Sequence, residues 1–304
     1  MAFDLGYAAV VANSTIRMTT PVLYVALGAS LCSQAKVFNV ALEGQMLAGA
    51  FTAIVVNYFT GSVFLSVMGA AAIAMLVGLL VGILQVRYGG SDMVVGTSVN
   101  LLASGGTTFL LYVIFGVKGV FTSPKLVGMP KINIRALEGV PILGQLFSQL
   151  TLLDYLSVVV ALVLYLFLFK SVAGFHLRAV GMHSEAAVSL GLNAQRIQIA
   201  TVVFSGFLCG IGGALLTLGQ VTLYTENITA GRGFFAMAAS SLGRAHPLGV
   251  ILSCFAFGFA DAIGYTLQNT AIKSQLTMAL PYVVTVLALV LSSGKLRARK
   301  SGAV

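Results

Sequence analysis

Long apolar runs alternate with short polar gaps along most of the chain. A helix needs about 20 apolar residues to cross the roughly 30 Å hydrocarbon core of a bilayer, because it rises about 1.5 Å per residue. This pattern predicts an all-α polytopic membrane protein. Eight runs approach or exceed the required length, at about residues 18–35, 39–57, 64–86, 93–116, 151–169, 197–218, 247–268 and 276–293.

A ninth and weaker apolar run covers residues 228–243. Arg232 stands between two glycines near its start, which is typical of a broken or re-entrant helix lined by protein or by a water-filled cavity. With this run included, the pattern predicts about nine transmembrane helices, within a range of eight to ten. Residues 2–14 are too short to cross and are expected to form an interfacial helix, so the first span directs insertion.

Composition supports the membrane class and excludes others. Of 304 residues, 58% are hydrophobic and 8% are charged, which leaves too little polar surface to cover a soluble globule. The net charge is +9, but the basic residues fall mostly between apolar runs, where they orient spans and do not form a nucleic-acid surface. Cys32, Cys209 and Cys254 lie far apart, without metal-ligand spacing.

The basic residues predict an orientation if all nine runs cross. Arg87, the loop 170–196, Arg244 and the basic tail 294–304 then share one face, which is the cytoplasm by the positive-inside rule. The C-terminus is therefore expected inside and the N-terminus outside. The loop 117–150 would lie outside, although it also carries lysines and an arginine.

The longest polar interruption of the second half, residues 170–196, contains the pattern of a short helix. Ser184 is expected to cap it, Glu185 favours its positive end, and Gly191 can end it with a positive φ. On these features alone, the segment fits an ordinary helical connector between two spans. It also fits a segment that another protein binds outside the membrane.

Two similar segments suggest that the chain consists of two related halves. Residues 39–51 and 230–239 each follow a polar gap, and each has a charge and glycines in its first turns. In the predicted orientation they run in opposite directions, as an inverted repeat requires. Within one transmembrane domain, 1–304, we expect a first repeat at about 15–116, a linking span at 151–169 and a second repeat at about 197–293.

Polar groups inside the apolar runs are candidates for a translocation path, because an ionised group at the bilayer centre costs about 2.5–3.5 kcal/mol on insertion scales. Glu43 fits either a structural acid at a helix start or a group that meets a polar solute. Arg232 fits a partner for an acid or for carbonyl oxygens at a helix break, and Asn100 fits interhelical hydrogen bonding or solute contact. The full set of candidates is Asn39, Glu43, Gln45, Asn100, Arg232 and Asp261.

Three separated motifs resemble permease subunits of ABC importers for nucleosides and simple sugars. They are N-V-A-L-E-G-Q-M-L-A-G-A-F from Asn39, the segment G-x-x-L-R-A-V-G-x-x-x-x-A-A-x-x-x-G from Gly174, and A-G-R-G-F-F-A-M-A-A with S-L-G-R-A-H-P-L-G in the second half. Length and pattern are closest to the shorter of the two permeases in nucleoside importers. Arg244, Ala245 and His246 stand where a glycine is common.

The resemblance implies a cytoplasmic coupling helix that docks on an ATPase. It assigns that role to Gly174, Leu177, Arg178, Ala179, Gly181, His183, Glu185, Ala186, Ala187 and Gly191, with His183 standing where such segments often have Asn.

It further implies alternating access powered by separate ATP-binding cassette ATPase subunits, a second permease subunit that forms a heterodimer with this chain, and an extracytoplasmic substrate-binding lipoprotein. Membrane lipid is the remaining partner, and no nucleic acid is expected. The expected location is a bacterial plasma membrane. No cofactor is expected on this chain, and ATP is used by the partner subunits.

Other functional classes have weaker support. The sequence has no G-x-x-x-x-G-K-[ST] phosphate loop, and its histidines lack a spaced metal partner, so an enzyme is not expected. An ion-coupled secondary transporter, with Glu43 or Asp261 carrying the coupling ion, remains the main alternative. A channel or lipid-scaffold protein is a third.

Overall fold

The computed structural model describes residues 5–132 and 148–268. The last predicted span, 276–293, and the basic tail lie outside these ranges. Within them the chain is mainly helical, with four two-residue strands. The helices are α1 (Leu5–Gln34), α2 (Leu42–Thr60), α3 (Val63–Gly82), α4 (Asp92–Phe115), α5 (Leu152–Lys170), α6 (Val172–Met182), α7 (Ser184–Ser189), α8 (Ala194–Ala214), α9 (Arg232–Leu242) and α10 (Pro247–Gln268).

The described residues contain six helices that are long and apolar enough to cross a membrane, namely Ala9–Gln34, Val63–Arg87, Asp92–Phe115, Leu152–Lys170, Ala194–Val221 and Pro247–Thr266. The predicted all-α polytopic class is therefore confirmed. The weak ninth run forms α9, which has 11 residues and a length of about 16 Å, roughly half of the hydrocarbon core.

Helix α1 differs from its prediction at the start. An interfacial helix is expected over residues 2–14, but residues 5–14 are continuous with the first span, and the helix passes through Pro21. A proline has no backbone N–H, so the carbonyl of Arg17, four residues earlier, loses its helical donor. Gln220 replaces that donor, since its Nε2 lies 2.5 Å from the Arg17 oxygen.

The core forms where α8 packs against α1, α2 and α3. Gly206 and Gly210 make the contact with α3, because a Cβ at either position would overlap the backbone of Ala74 or Ala70. Two small residues four positions apart on one helix allow such a close approach of backbones. Helix α1 packs in turn against α9 and α10.

A buried acid that the sequence analysis did not single out fixes the start of α5. The Asp154 carboxylate accepts hydrogen bonds from the Thr151 backbone N–H at 2.7 Å and the Thr151 hydroxyl at 2.8 Å, while Thr20 of α1 donates to its other oxygen at 2.5 Å. The Asp154 N–H donates in return to the Thr151 hydroxyl oxygen at 3.4 Å, which completes a capping box. It joins the linking helix α5 to α1.

The polar segments gather at two ends of the helix bundle. At one end, Gln34 donates to the Ala245 carbonyl at 2.9 Å and Gln198 donates to the Ala35 carbonyl at 3.1 Å. At the other end, strand β1 (Val120–Phe121) pairs antiparallel with β4 (Tyr224–Thr225), and β2 (Lys131–Ile132) pairs with β3 (Leu150–Thr151). The chain between β4 and α9 therefore runs from the second end into the bundle.

Candidate functional site

The first turns of α2 and α9 meet inside the bundle, and Glu43 joins them. Its Oε1 accepts hydrogen bonds from the Thr229 hydroxyl at 2.5 Å and the Gly231 N–H at 2.8 Å, and its Oε2 accepts from the Gly233 N–H at 2.6 Å. Only 7% of Glu43 is exposed. The carboxylate thus satisfies backbone donors that the first turn of α9 cannot pair internally.

The two glycines beside Arg232 make this approach possible. Gly231 has a φ of +82°, which a residue with a side chain rarely adopts. A Cβ at Gly233 would lie 2.5 Å from the Glu43 backbone, well inside contact distance. The glycine pattern that suggested a broken helix therefore serves a close contact between the two halves of the chain.

Amide side chains hold the start of α2. Asn100 of α4 donates to the Val40 carbonyl at 2.9 Å and accepts from the Gly44 N–H at 2.7 Å. Asn39 accepts from the Ala41 N–H at 3.0 Å and donates to the Gln45 Oε1 at 3.2 Å. These bonds fix the non-helical segment 35–41 against α2 and α4.

A cavity of about 380 Å³ lies beside this junction. It is lined by α1, the helical segment Leu215–Val221 that continues α8, the segment before α9, the start of α9, and α10. Arg232 lies on its wall, where its Nη1 is 3.4 Å from the carbonyl oxygens of Ile228 and Thr229. The polar side chains that line the cavity are Ser14, Arg17, Gln220, Thr225, Arg232 and Tyr265.

The predicted short helix after residue 183 is present as α7, with Glu185 in its first turn and Gly191, at a φ of +86°, just beyond its end. The predicted cap is wrong, because Ser184 is the first helical residue. The N-cap residue of α7 is His183, and its side chain makes no capping hydrogen bond. A longer helix, α6, precedes α7, and the sequence analysis did not predict it.

The inner side of the α6–α7 segment packs on the bundle. Gly174 lies against the Phe167 carbonyl and Gly181 against the Gln34 carbonyl, so closely that a Cβ would overlap the oxygen. The guanidinium of Arg178 stacks over the Phe169 ring, with its Cζ 4.7 Å from the ring centre. Leu177 and Ala187 are buried as well. These residues hold the segment in place.

The outer side of the same segment carries an apolar tip. Leu190 is 84% exposed, and Val188 and Ala186 are exposed beside it. His183, Glu185 and Gly191 are also on this outer side. An exposed apolar tip with a polar rim is typical of a surface that contacts another protein.

The family of branched-chain amino acid transport system permease components matches residues 11–289 of the chain. The chain belongs to this family. The match confirms the resemblance that the three motifs indicate. The chain is accordingly the permease subunit of an ABC importer, and a multi-pass membrane protein.

Three curated relatives are similar to the permease. The guanosine ABC transporter permease NupQ of Bacillus subtilis is 30% identical and the nucleoside ABC transporter permease NupC of Lactococcus lactis is 33% identical, each over 97% of this chain and 95% of the relative. A second B. subtilis guanosine ABC transporter permease, NupP, is 28% identical over 81% of this chain and 71% of its own length. No solved structure gives a significant match.

The structure separates the candidate path residues of the permease into two groups. Asn39, Glu43, Gln45 and Asn100 form or adjoin the junction of α2 and α9, and Arg232 alone among the six candidates lines the cavity. Asp261 is half-buried on α10 and interacts electrostatically with Arg232.

Sequence reasoning missed Arg17 and Gln220 in the cavity. The apolar pattern placed Arg17 in a gap between an interfacial helix and the first span, so it was not considered an intramembrane charge. The usable clue was Pro21, because it frees the Arg17 carbonyl and requires a donor from elsewhere.

Proposed function

We propose that this permease carries nucleosides into the cell as one of two different permease subunits. Similarity to the nucleoside permease NupC and the guanosine permease NupQ over almost the entire chain is the observation that carries the proposal. A pentose or another simple sugar is the next substrate class, by the resemblance of the motifs.

The cavity beside Arg232 suits such a solute. Its volume of about 380 Å³ falls in the usual range for small-molecule sites, about 300–1,000 Å³. Arg17 and Arg232 offer donors, and nucleobases present carbonyl oxygens and ring nitrogens that accept hydrogen bonds. The hydroxyl groups of a ribose can pair with Ser14, Gln220 or Tyr265.

Alternating access requires two structural units that move relative to each other, and two inverted repeats would provide them. Helix α8 packs on α2 and α3, while α1 packs on α9 and α10, so each first helix of a repeat packs on the second and third helices of the other. This reciprocal packing supports repeats at about 15–116 and 197–293 within a domain of 1–304, linked by α5. Alternating access follows if the repeats rock about the junction that Glu43 forms.

The proposed importer contains further chains. The presence of two guanosine permeases in B. subtilis, NupQ and NupP, supports a second permease subunit beside this one. ATP hydrolysis is assigned to separate ATPase subunits that grip the outer side of α7, and solute delivery to an extracytoplasmic binding lipoprotein. The location is then the plasma membrane, with the α6–α7 segment and the C-terminus in the cytoplasm.

Uptake of a labelled purine nucleoside into proteoliposomes tests this function. The purified chain alone is compared with the complex of both permeases and the ATPases, with and without ATP on the ATPase side and with binding protein on the other. Uptake that requires partners and ATP supports the importer. ATP-independent uptake by this chain alone would instead support the ion-coupled transporter, and competition by ribose but not by nucleosides would move the substrate class to sugars.

Removing either guanidinium from the cavity is expected to weaken solute binding. Arg17→Gln and Arg232→Gln should each raise the KM for nucleoside uptake about 10- to 100-fold, since a hydrogen bond from a charged group contributes about 1.5–3 kcal/mol. Concentration-dependent uptake measures the change. Arg87→Gln, which removes an exposed arginine at the end of the α3 helical segment, serves as the control and should leave KM unchanged. An unchanged KM in both cavity variants would contradict the proposed path.

A further inference from the structure

Two apolar cavities lie end to end in the cleft between α5 and α8. One has a volume of about 700 Å³ and extends to the start of α3, and the other has about 410 Å³ and extends to α6. Val163, Leu164 and Phe204 line both, so the two form one continuous groove. We call the part next to α6 the inner groove.

The inner groove has an apolar floor and an open rim. Leu31, Leu164 and Leu177 are buried beneath it, whereas Phe167 and Phe204 stand partly exposed along its sides. Because α5 and α8 are membrane-crossing helices, this opening faces hydrocarbon rather than water. A flexible hydrocarbon chain satisfies such a lining without needing any hydrogen-bond partner.

Both walls of the inner groove end in a cation. Val163, Phe167 and Lys170 follow one face of α5 at spacings of four and three residues. On α8, Arg196, Ala200 and Phe204 follow one face at spacings of four. Lys170 and Arg196 thus continue the two walls beyond the apolar part, at the end of the bundle that holds α6 and α7.

These two cations are available to a ligand. Lys170 and Arg196 are exposed, and neither forms an ion pair with any residue in the described ranges 5–132 and 148–268. In the proposed orientation this end is cytoplasmic, where the inner leaflet carries anionic lipids and basic pockets between helices bind their headgroups. The charge therefore selects a negatively charged lipid over a neutral one.

We propose that the inner groove binds an anionic phospholipid of the cytoplasmic leaflet. One acyl chain lies along Leu164, Leu177 and Phe204, and the phosphate headgroup lies between Lys170 and Arg196. The acyl chain then contacts α6, which leads directly into the exposed tip of α7. The lipid thereby stabilises the position of the segment that the proposed function assigns to ATPase docking.

Lipid retention by the assembled transporter tests the site. The complex is reconstituted in nanodiscs containing phosphatidylcholine and phosphatidylglycerol, and the lipids retained after extraction are measured by native mass spectrometry. The double variant K170Q/R196Q is expected to retain about tenfold less phosphatidylglycerol. Ala200→Trp, which fills the exposed side of the groove and keeps both cations, should lower retention to a similar extent.

A matched control removes two other exposed cations that belong to the same proposed cytoplasmic face. The double variant R87Q/R244Q has the same charge change but leaves the groove intact, so its phosphatidylglycerol retention should equal that of the unmodified complex. Equal retention in K170Q/R196Q, A200W and this control would overturn the proposal. So would a Phe204→Cys variant carrying a thiol-linked benzophenone that, on illumination, crosslinks to the second permease subunit and not to phosphatidylglycerol.

The proposed lipid site and the proposed nucleoside substrate are tested independently of each other. Retention is measured without nucleoside or ATP, so it does not depend on what the transporter carries. Loss of retention in the groove variants would support the lipid site even if nucleoside uptake were absent.

Discussion

Replacing Glu43 by alanine is expected to destabilise the permease by on the order of 3–5 kcal/mol, enough to lower its abundance in the membrane severalfold. The substitution leaves the Thr229 hydroxyl and the N–H groups of Gly231 and Gly233 without their acceptor. All three lie in a buried junction, where an unpaired polar group costs about 1–3 kcal/mol. Thermal unfolding of the purified complex, followed by chromatography of the surviving fraction, measures the loss.

Glu226 provides the matched control for this prediction. Its carboxylate also accepts a backbone hydrogen bond, from the Gly119 N–H at 2.8 Å, but the residue is exposed. Water can replace the lost acceptor there, so Glu226→Ala should change stability by less than about 1 kcal/mol. Equal losses in both variants would mean that the Glu43 junction contributes no more than a surface turn.

The variant Glu43→Gln separates a structural role from a transport role. An amide keeps the size of the side chain but has one acceptor oxygen, while the junction presents donors to both carboxylate oxygens. If Glu43 is structural, stability and uptake should fall together. Normal stability with loss of uptake would instead favour the hypothesis that Glu43 acts on the solute or on a coupling ion.

Replacing Leu190 by aspartate is expected to abolish ATP-dependent uptake while leaving the permease at normal abundance. Leu190 is 84% exposed at the tip of α7, so its side chain contributes little to packing among the described residues. A buried aspartate at an interface with the ATPase would be an unpaired charge, which costs several kcal/mol. Uptake and co-purification of the ATPase should therefore fall together, by at least about 100-fold and tenfold respectively.

Val120→Asp is the control for the docking surface. Val120 is likewise an exposed apolar residue, 54% accessible, but it lies on strand β1 at the opposite end of the bundle. This variant should bind the ATPase normally. Retained ATPase binding by Leu190→Asp would show that α7 is not the docking element.

The sequence predicted the class, the family and most helix positions, because membrane-crossing segments need long apolar runs that few other structures share. It was less informative about segments whose boundaries depend on tertiary contacts. Residues 5–14 are continuous with the first span in α1, and the carbonyl that Pro21 frees is satisfied by Gln220, about 200 residues away. Pro21 indicates that the Arg17 carbonyl needs another donor, but nothing in the neighbouring sequence identifies Gln220 as that donor.

In the candidate site, too, the sequence indicated the relevant segments but not the tertiary contacts that they make. The charges and neighbouring glycines drew attention to the segments that contain Glu43 and Arg232, but the sequence could not show that Glu43 accepts hydrogen bonds from the backbone of the other segment. In the docking segment, the motif residues Gly174, Gly181 and Arg178 pack inward, while the strongly exposed Leu190 was not part of the motif. A motif alone does not distinguish residues that hold a segment from residues that contact a partner.

Pro21 has a consequence for engineering this protein. Replacing a proline inside a helix by alanine removes an intrinsic penalty of about 3 kcal/mol, so helix propensity alone favours the change. Here an alanine N–H would reclaim the Arg17 carbonyl, and the half-buried Gln220 amide would lose its acceptor. Pro21 lowers the helix propensity of α1, but it also allows the hydrogen bond between α1 and the segment that follows α8. A more regular α1 would lose this contact between the two helices.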